Sequence, residues 1–420
     1  MWPGLSTLRL ENMNGGSDGL VKNEKVAAVE TDADSSLASS ERDNGLLDVP
    51  FTPEEERKLV RKRVVKNEAG FLAARFFLGV AEAGLFPGTV FVLSMYYARQ
   101  ERHWRVAIYF GGAAIAGSFG GILAYGIGKI PHFGDLPNWA AIFIIEGLFT
   151  VLVGISAFYW VPGYPRQATF LTPRERQILL ARLAQDSDSA DEEAFSWSGV
   201  WLAFKDPHVI GYALLFHGFA FGLYSLSLFI PSVIAQLGYT AANAQLLSVP
   251  LYLGAFVGIA LVAEASRRTQ TRALWIIVSG VVAIVGYIVL LTTHTPEKRY
   301  GGLVIAAVGI YAATSALLAW PAMNTSPQTK RATASAIQIF IGDFGAVIGV
   351  LVYRPSFSDH FFRKAHIIAV GFTLFGTLVA AGLWWSMARA NKLRAKVRRE
   401  LKQPDDRHVG DRSASFVYQL

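Results

Sequence analysis

The chain of 420 residues contains no cysteine. Disulfides, thiolate metal sites and cysteine nucleophiles are therefore excluded. It also lacks the signature H-E-x-x-H, and its G-x-S-x-G match, Gly15 to Gly19, falls in a polar stretch and not between a strand and a helix, so a membrane-embedded enzyme would have no recognisable reaction centre. Neither a cofactor nor a metal is expected. The first residues, MWPGLSTLRLENMNGG, show no basic stretch followed by an apolar one, and no signal peptide is expected there. A net charge of +7 suggests nucleic-acid affinity only until it is mapped. Lys and Arg concentrate in short loops and tails beside apolar runs, where positive charge retains a loop on the cytoplasmic side of a bilayer. No nucleic-acid partner is expected.

What the chain does have is long apolar sequence. Apolar residues make up 52% of it, with 28 Phe and 39 Gly, and mean hydropathy is +0.33. Such values point to an all-α polytopic membrane protein, with the lipid bilayer as its first partner. The first run, residues 69–99, exceeds the ~20 helical residues that cross a ~30 Å hydrocarbon core. It nonetheless carries Arg75 and Glu82, with Gly84, Pro87 and Gly88 just beyond. Glu82 falls about 16 Å along such a helix, near the midplane. A charge there costs at least ~2.5 kcal/mol in lipid, so it should face protein or water. Eight further spans are read at 105–130, 139–161, 207–236, 243–265, 273–292, 301–323, 332–353 and 366–388. Trp139, Trp201, Tyr300, Trp384 and Trp385 lie near span ends, as interfacial aromatics do.

The organisation follows from composition. Residues 1–50 are a polar tail expected to be disordered, and residues 51–70 a basic amphipathic cytoplasmic segment. Residues 71–161 hold three spans. The loop 162–205 contains an amphipathic helix, TPRERQILLARLAQ, and an acidic patch, DSDSADEE. Residues 206–388 form a six-helix half, and 389–420 a basic cytoplasmic tail. Basic clusters at Arg99-Arg102-Arg105, Arg267-Arg268-Arg272, Lys330-Arg331 and Arg389–Arg399 place that tail inside. An odd span count then puts the other tail outside, although Arg57, Lys58, Arg61, Lys62, Arg63 and Lys66 favour the cytoplasm. An odd number of helices is therefore expected to be lacking ahead of the first span.

Several stretches carry a resemblance: RFFLGVAEAGLFPG (75–88), FIIEGLFTVLVG (143–154), FLTPRERQILLARL (170–183) and NTSPQTKRATASAIQIFIGDFGAVIG (324–349). They resemble the major facilitator superfamily, and more narrowly its fungal anion:cation symporter branch of allantoate and nicotinate permeases. The resemblance implies a twelve-helix bundle with both tails inside, of which this chain would retain helices four to twelve. It implies proton-coupled uptake of a small organic anion across, most simply, the plasma membrane. Alternatives are a truncated, non-transporting isoform or fragment, or a membrane receptor or scaffold. A further departure is Arg267, which stands where relatives usually place an aspartate in a cytoplasmic charge lock.

The resemblance makes Glu82 a proton relay tuned by Arg75; the bland reading is a structural ion pair, although two turns separate them. Glu146, opening the third span, reads as a structural charge near one mouth. Asp343, between Gly342 and Gly345, either meets a polar solute or belongs to packing. Tyr224, His217, Ser225, Trp320, Asn324 and Gln338 are candidate cavity liners, since an aromatic with amide hydrogen-bonders suits small planar or carboxylated solutes. Each would otherwise be satisfied inside the bundle. The pairs Gly117/Gly121, Gly254/Gly258 and Gly345/Gly349 have the small-x3-small spacing of close helix contacts. By resemblance, the first two face each other and the third faces a helix absent here.

Overall fold

A computed structural model of the chain describes residues 68–97, 99–128, 138–185, 195–354, 360–400, 411, 413 and 416–420. The tail 1–50, the basic segment through residue 67, the acidic patch at 186–193 and the side chain of Trp139 lie outside the described residues. The chain divides into two units, Met1–Arg75 and Phe76–Leu420. In the first, the opening turns of a helix are described, with the Arg75 guanidinium 5.3 Å from the Phe71 ring centroid.

The described residues are all-helical apart from turns and loops. Helix α1 (Glu68–Glu82) is followed by α2 (Leu85–Tyr96), α3 (Arg99–Gly128) and α4 (Asn138–Trp160). The central loop carries α5 (Pro173–Gln185) and α6 (Trp197–Phe204). Six long helices complete the chain: α7 (Pro207–Gln236), α8 (Ala241–Thr269), α9 (Arg272–Thr292), α10 (Pro296–Asn324), α11 (Gln328–Val352) and α12 (Arg363–Glu400). Among the described residues, nine segments are long and apolar enough to cross a membrane, α1 and α2 together forming the first. This agrees with the hydropathy reading. The seventh starts earlier than expected, at Pro296, where the ring fixes the first-turn φ. Helix α12 has 38 residues, about 57 Å at 1.5 Å per residue, so its basic end outruns any bilayer.

Helix α10 is the axis of the six-helix group. It packs against α9, α8, α7 and α11, and 83% of its apolar window is buried. Helix α11 lies along α7, and α12 along α9 and α7. Because lipid is as apolar as leucine, helices in a bilayer associate through close packing, which small residues permit. Here the structure corrects two readings of the glycine pairs. Helices α3 and α8 do pack together, with Gly117 against the Tyr252 ring, but Gly254 and Gly258 face Val308 of α10. A methyl on Gly258 would stand 2.7 Å from Val308 Cγ1. Gly345 and Gly349 are not open to lipid: they lie on the backbone carbonyls of His217 and Phe221 in α7. Small-residue spacing marks a close crossing without naming the partner.

The three-span segment is attached through α2 and α3. Val90 of α2 and Val106 of α3 share a small core with Ala319 and Ala322 of α10. An aromatic series continues inward, from Phe86 to Phe110 (6.3 Å), Tyr311 (6.4 Å) and Tyr252 (6.0 Å between centroids). Helix α4 touches α3 and is otherwise exposed, with 6% of its apolar window buried. The amphipathic loop helix forms as the sequence implies. Thr172 and Glu175 make a reciprocal capping box (Thr172 N to Glu175 Oε2, 2.9 Å; Glu175 N to Thr172 Oγ1, 3.3 Å). These bonds hold the exposed Glu175 carboxyl below its ordinary range.

Candidate functional site

The first candidate feature is a broken span. Helix α1 ends at Glu82 and α2 begins at Leu85, with a turn at Ala83 and Gly84 between them. Pro87 supplies the reason: it has no N–H to donate to the Ala83 carbonyl, so one rung of the ladder is lost. Broken helices at membrane depth are a recurrent feature of transporter sites. The Glu82 side chain is exposed, as are Arg75 and most of α1. Glu146 is likewise exposed on α4, where its backbone carbonyl accepts from Thr150 Oγ1 at 2.8 Å.

The second feature is an open cavity of about 360 Å³ between α7 and α11, lined by Tyr224, Asp343, Ala346, Val347, Val350 and Leu351. Both polar liners lie mid-helix. Asp343 is half-buried and its Oδ1 is buried without a hydrogen-bond partner. An unmet acceptor beside a phenol in an otherwise apolar cavity has the chemistry of a small-solute site, where a few polar groups fix orientation. His217 sits between the same two helices, with Nδ1 3.3 Å from the Ile341 carbonyl and its ring 5.6 Å from Phe372. Ser225 is fully buried and bonds back to the Phe221 carbonyl at 2.5 Å.

The remaining candidates lie elsewhere. Gln338 is buried and donates to the Leu317 carbonyl at 3.0 Å. Trp320 and Asn324 lie at the end of α10, and both are engaged by the end of this same chain. Trp320 Nε1 donates to the Gln419 carbonyl at 2.8 Å, while Asn324 takes Gln419 N–H (2.7 Å) and gives Nδ2–H to its carbonyl (3.0 Å). The described structure thus joins Tyr224 to Asp343 and Trp320 to Asn324, without making one site of all seven.

The same end of the bundle holds a buried ion cluster that sequence reasoning did not anticipate. Lys330 Nζ lies 2.6 Å from Asp206 Oδ2 and 2.6 Å from Asp411 Oδ2, its side chain only 2% exposed. Asp206 caps α7, accepting from His208 N at 2.9 Å. Burial raises its proton affinity, but the His208 and Lys330 hydrogen bonds outweigh that and hold Asp206 well below the usual carboxylate range. Asp-Pro at 206–207 is a sequence signature of a helix start. Nothing local in the sequence marks Lys330 as buried.

Around the ends of α3 and α8, Glu101, Trp104, Arg105, Glu264, Arg267 and Gln270 line a charged cavity of about 480 Å³. Arg267 and Arg268 both bind Glu264 (2.7 and 2.6 Å), and Arg182 of α5 binds Glu101 at 2.7 Å. The carboxylate that position 267 lacks is thus present three residues earlier on the same helix.

Nine spans among the described residues, the first of them broken, with an open apolar cavity between α7 and α11 that carries two polar groups, define a class, the polytopic membrane carriers. Residues 65–350 match the Major Facilitator Superfamily, and the chain belongs to that family. It is 31% identical over 334 residues to an uncharacterised transporter of Schizosaccharomyces pombe, covering 79% of this chain and 68% of that one. An MFS-type transporter of Penicillium expansum is 32% identical over 371 residues, covering 84% and 71%. The high-affinity nicotinic acid transporter of Saccharomyces cerevisiae is 28% identical over 361 residues, covering 84% and 67%. The chain thus spans about two thirds of the length of these relatives.

Proposed function

We propose that this protein works in proton-coupled uptake of a small organic anion, such as nicotinate, allantoate or a related vitamin or nitrogen source, at the plasma membrane. The observation that carries the reading is the α7–α11 cavity, where an Asp343 oxygen without a partner sits beside Tyr224. A protonated Asp343 would donate to an anionic solute, whereas an ionised one would repel it. Solute and proton entry are then linked at one side chain. Glu82, at the break between α1 and α2, is the proposed second proton carrier, with Arg75 on the same helix. Likeness to a nicotinic acid transporter supports the solute class. The test is uptake of labelled nicotinate and allantoate into cells, with Asp343→Asn and Glu82→Gln beside the natural sequence. Uptake that stays coupled to the pH gradient in both variants would end this assignment.

A second reading has its own support. Helices α1 and α4 expose most of their surface, including the carboxylates of Glu82 and Glu146. Each such charge costs at least ~2.5 kcal/mol against lipid. Three further helices ahead of α1 would cover surfaces of this kind, and the 420-residue chain alone would then insert without transporting. Robust uptake by this chain on its own excludes that reading.

A further inference from the structure

The ends of α10 and α12 present two asparagines that grip consecutive residues of one extended segment. Asn391 Oδ1 accepts the Tyr418 N–H at 2.8 Å while its Nδ2 donates to the Tyr418 carbonyl at 2.8 Å. Asn324 makes the same pair of bonds to Gln419, at 2.7 and 3.0 Å. A carboxamide that satisfies both polar groups of one residue reads backbone and not side chain, as a neighbouring strand would. Around this clamp, Trp320 adds a third bond to Gln419, and the Arg272 N–H, in the first turn of α9, donates to the Leu420 carbonyl. Arg394 donates to the carbonyls of Phe416 (3.0 Å) and Asp411 (2.8 Å) and lies 4.4 Å from the Tyr418 ring centroid.

Side chains of the segment alternate as in a half-buried strand. Phe416 and Tyr418 are each 8% exposed and join the main core, whereas Val417 between them is 44% exposed. The Tyr418 ring packs at a tilt against His208 of α7, 5.1 Å between centroids. Farther along, Asp411 is the second carboxylate on Lys330 of α11 and also accepts from Ser326 N at 3.4 Å. The segment therefore ties together the ends of five helices: α7, α9, α10, α11 and α12.

We infer that these helix ends form a binding groove for extended peptide backbone, filled in cis by Asp411 and Phe416–Leu420, and that the filled groove holds this end of the six-helix half closed. Rocking of helices is required of an alternating-access carrier, so the gating consequence rests on the proposed transport function; the groove itself does not. With the segment docked, Trp320 and Asn324 cannot meet a solute. Release exposes them.

The absence of native cysteine allows a single reporter. Thr325→Cys sits between the Asn324 and Ser326 contacts and is 1% exposed before substitution. In purified full-length protein, maleimide should label this thiol slowly. Deleting residues 411–420, or replacing Asn391 by Ala, should speed labelling by at least about tenfold, since the deletion removes every bond to the segment and the substitution removes both bonds to Tyr418. A synthetic peptide with the sequence of residues 411–420 should restore protection to the deleted form, and a scrambled peptide should not. Unchanged labelling in Asn391→Ala, or protection by the scrambled peptide alone, would overturn the inference. Should the deletion fail to fold, Asn391→Ala in the full chain decides the matter. The assay needs no substrate: protein that never transports but is protected by its peptide refutes only the transport reading. Active uptake with peptide-insensitive labelling refutes only the groove.

Discussion

The six helices α7–α12 and the three spans built from α1–α4 have similar hydropathy, yet they are stabilised in different ways. In the six-helix group, glycines set the α7–α11 crossing and an ion cluster pins the helix ends. In the three-span segment close glycine contacts are confined to α3, where Gly111, Gly117 and Gly121 lie against α8; Gly79, Gly84, Gly147 and Gly154 meet nothing within 4 Å, and contacts with the bundle run mainly through α2 and α3. Apolar length decides that a helix enters a membrane. Packing and buried polar partners decide whether it has one place within the bundle.

The sharpest way to break the contrast is to remove the buried cation. Lys330→Met leaves Asp206 and Asp411 facing each other without a counter-charge, and such a loss costs ~3–5 kcal/mol. Thermal unfolding in detergent should show a large drop in midpoint; an unchanged midpoint would mean the cluster contributes nothing. Next in size is a steric pair. Gly349→Leu should force α7 and α11 apart and cost ~1–3 kcal/mol, while Gly147→Leu on α4 should be nearly silent in the same melt. Equal effects from the two would erase the difference between the regions.

A pH series separates the capping carboxylate from bulk effects. Asp206 is held below its unfolded value of ~3.9, so its stabilising contribution is complete above that pH and fades as pH falls below it. The stability gap between the natural sequence and Asp206→Asn should stay constant from pH 7 to about pH 4 and narrow only below. A gap that closes near neutrality would point to another group. The smallest effect expected is at the surface. Arg182→Ala removes a 2.7 Å pair to Glu101 whose side chains are 58% and 37% exposed, and should cost under ~1 kcal/mol, less in high salt. A larger loss would give the α5–α3 contact a structural weight its exposure does not suggest.

Much of this was legible in advance. Nine apolar lengths marked the long helices and the amphipathic pattern TPRERQILLARLAQ marked the loop helix, whereas the interruption between Glu82 and Leu85 was not expected within the first apolar run. Other features were legible by type, but their partners were not. Asn324 and Trp320 read as candidate cavity liners, and in the described structure they bond Gln419, which lies 95 and 99 residues away along the chain. Lys330 and Arg394 read as charges that retain loops in the cytoplasm, yet one is buried between carboxylates and the other braces the final segment. The alternation of Phe416 and Tyr418 was the available signal for that segment, too short to stand out within a basic tail.

Sequence alone determined that the chain is an all-helical membrane protein and where its apolar helices run, because those properties depend on residues adjacent along the chain. Tertiary structure decided which glycine meets which helix, which lysine is buried and what Asn324 and Asn391 hold. Those outcomes depend on distances between residues far apart in the chain, and no local pattern encodes them.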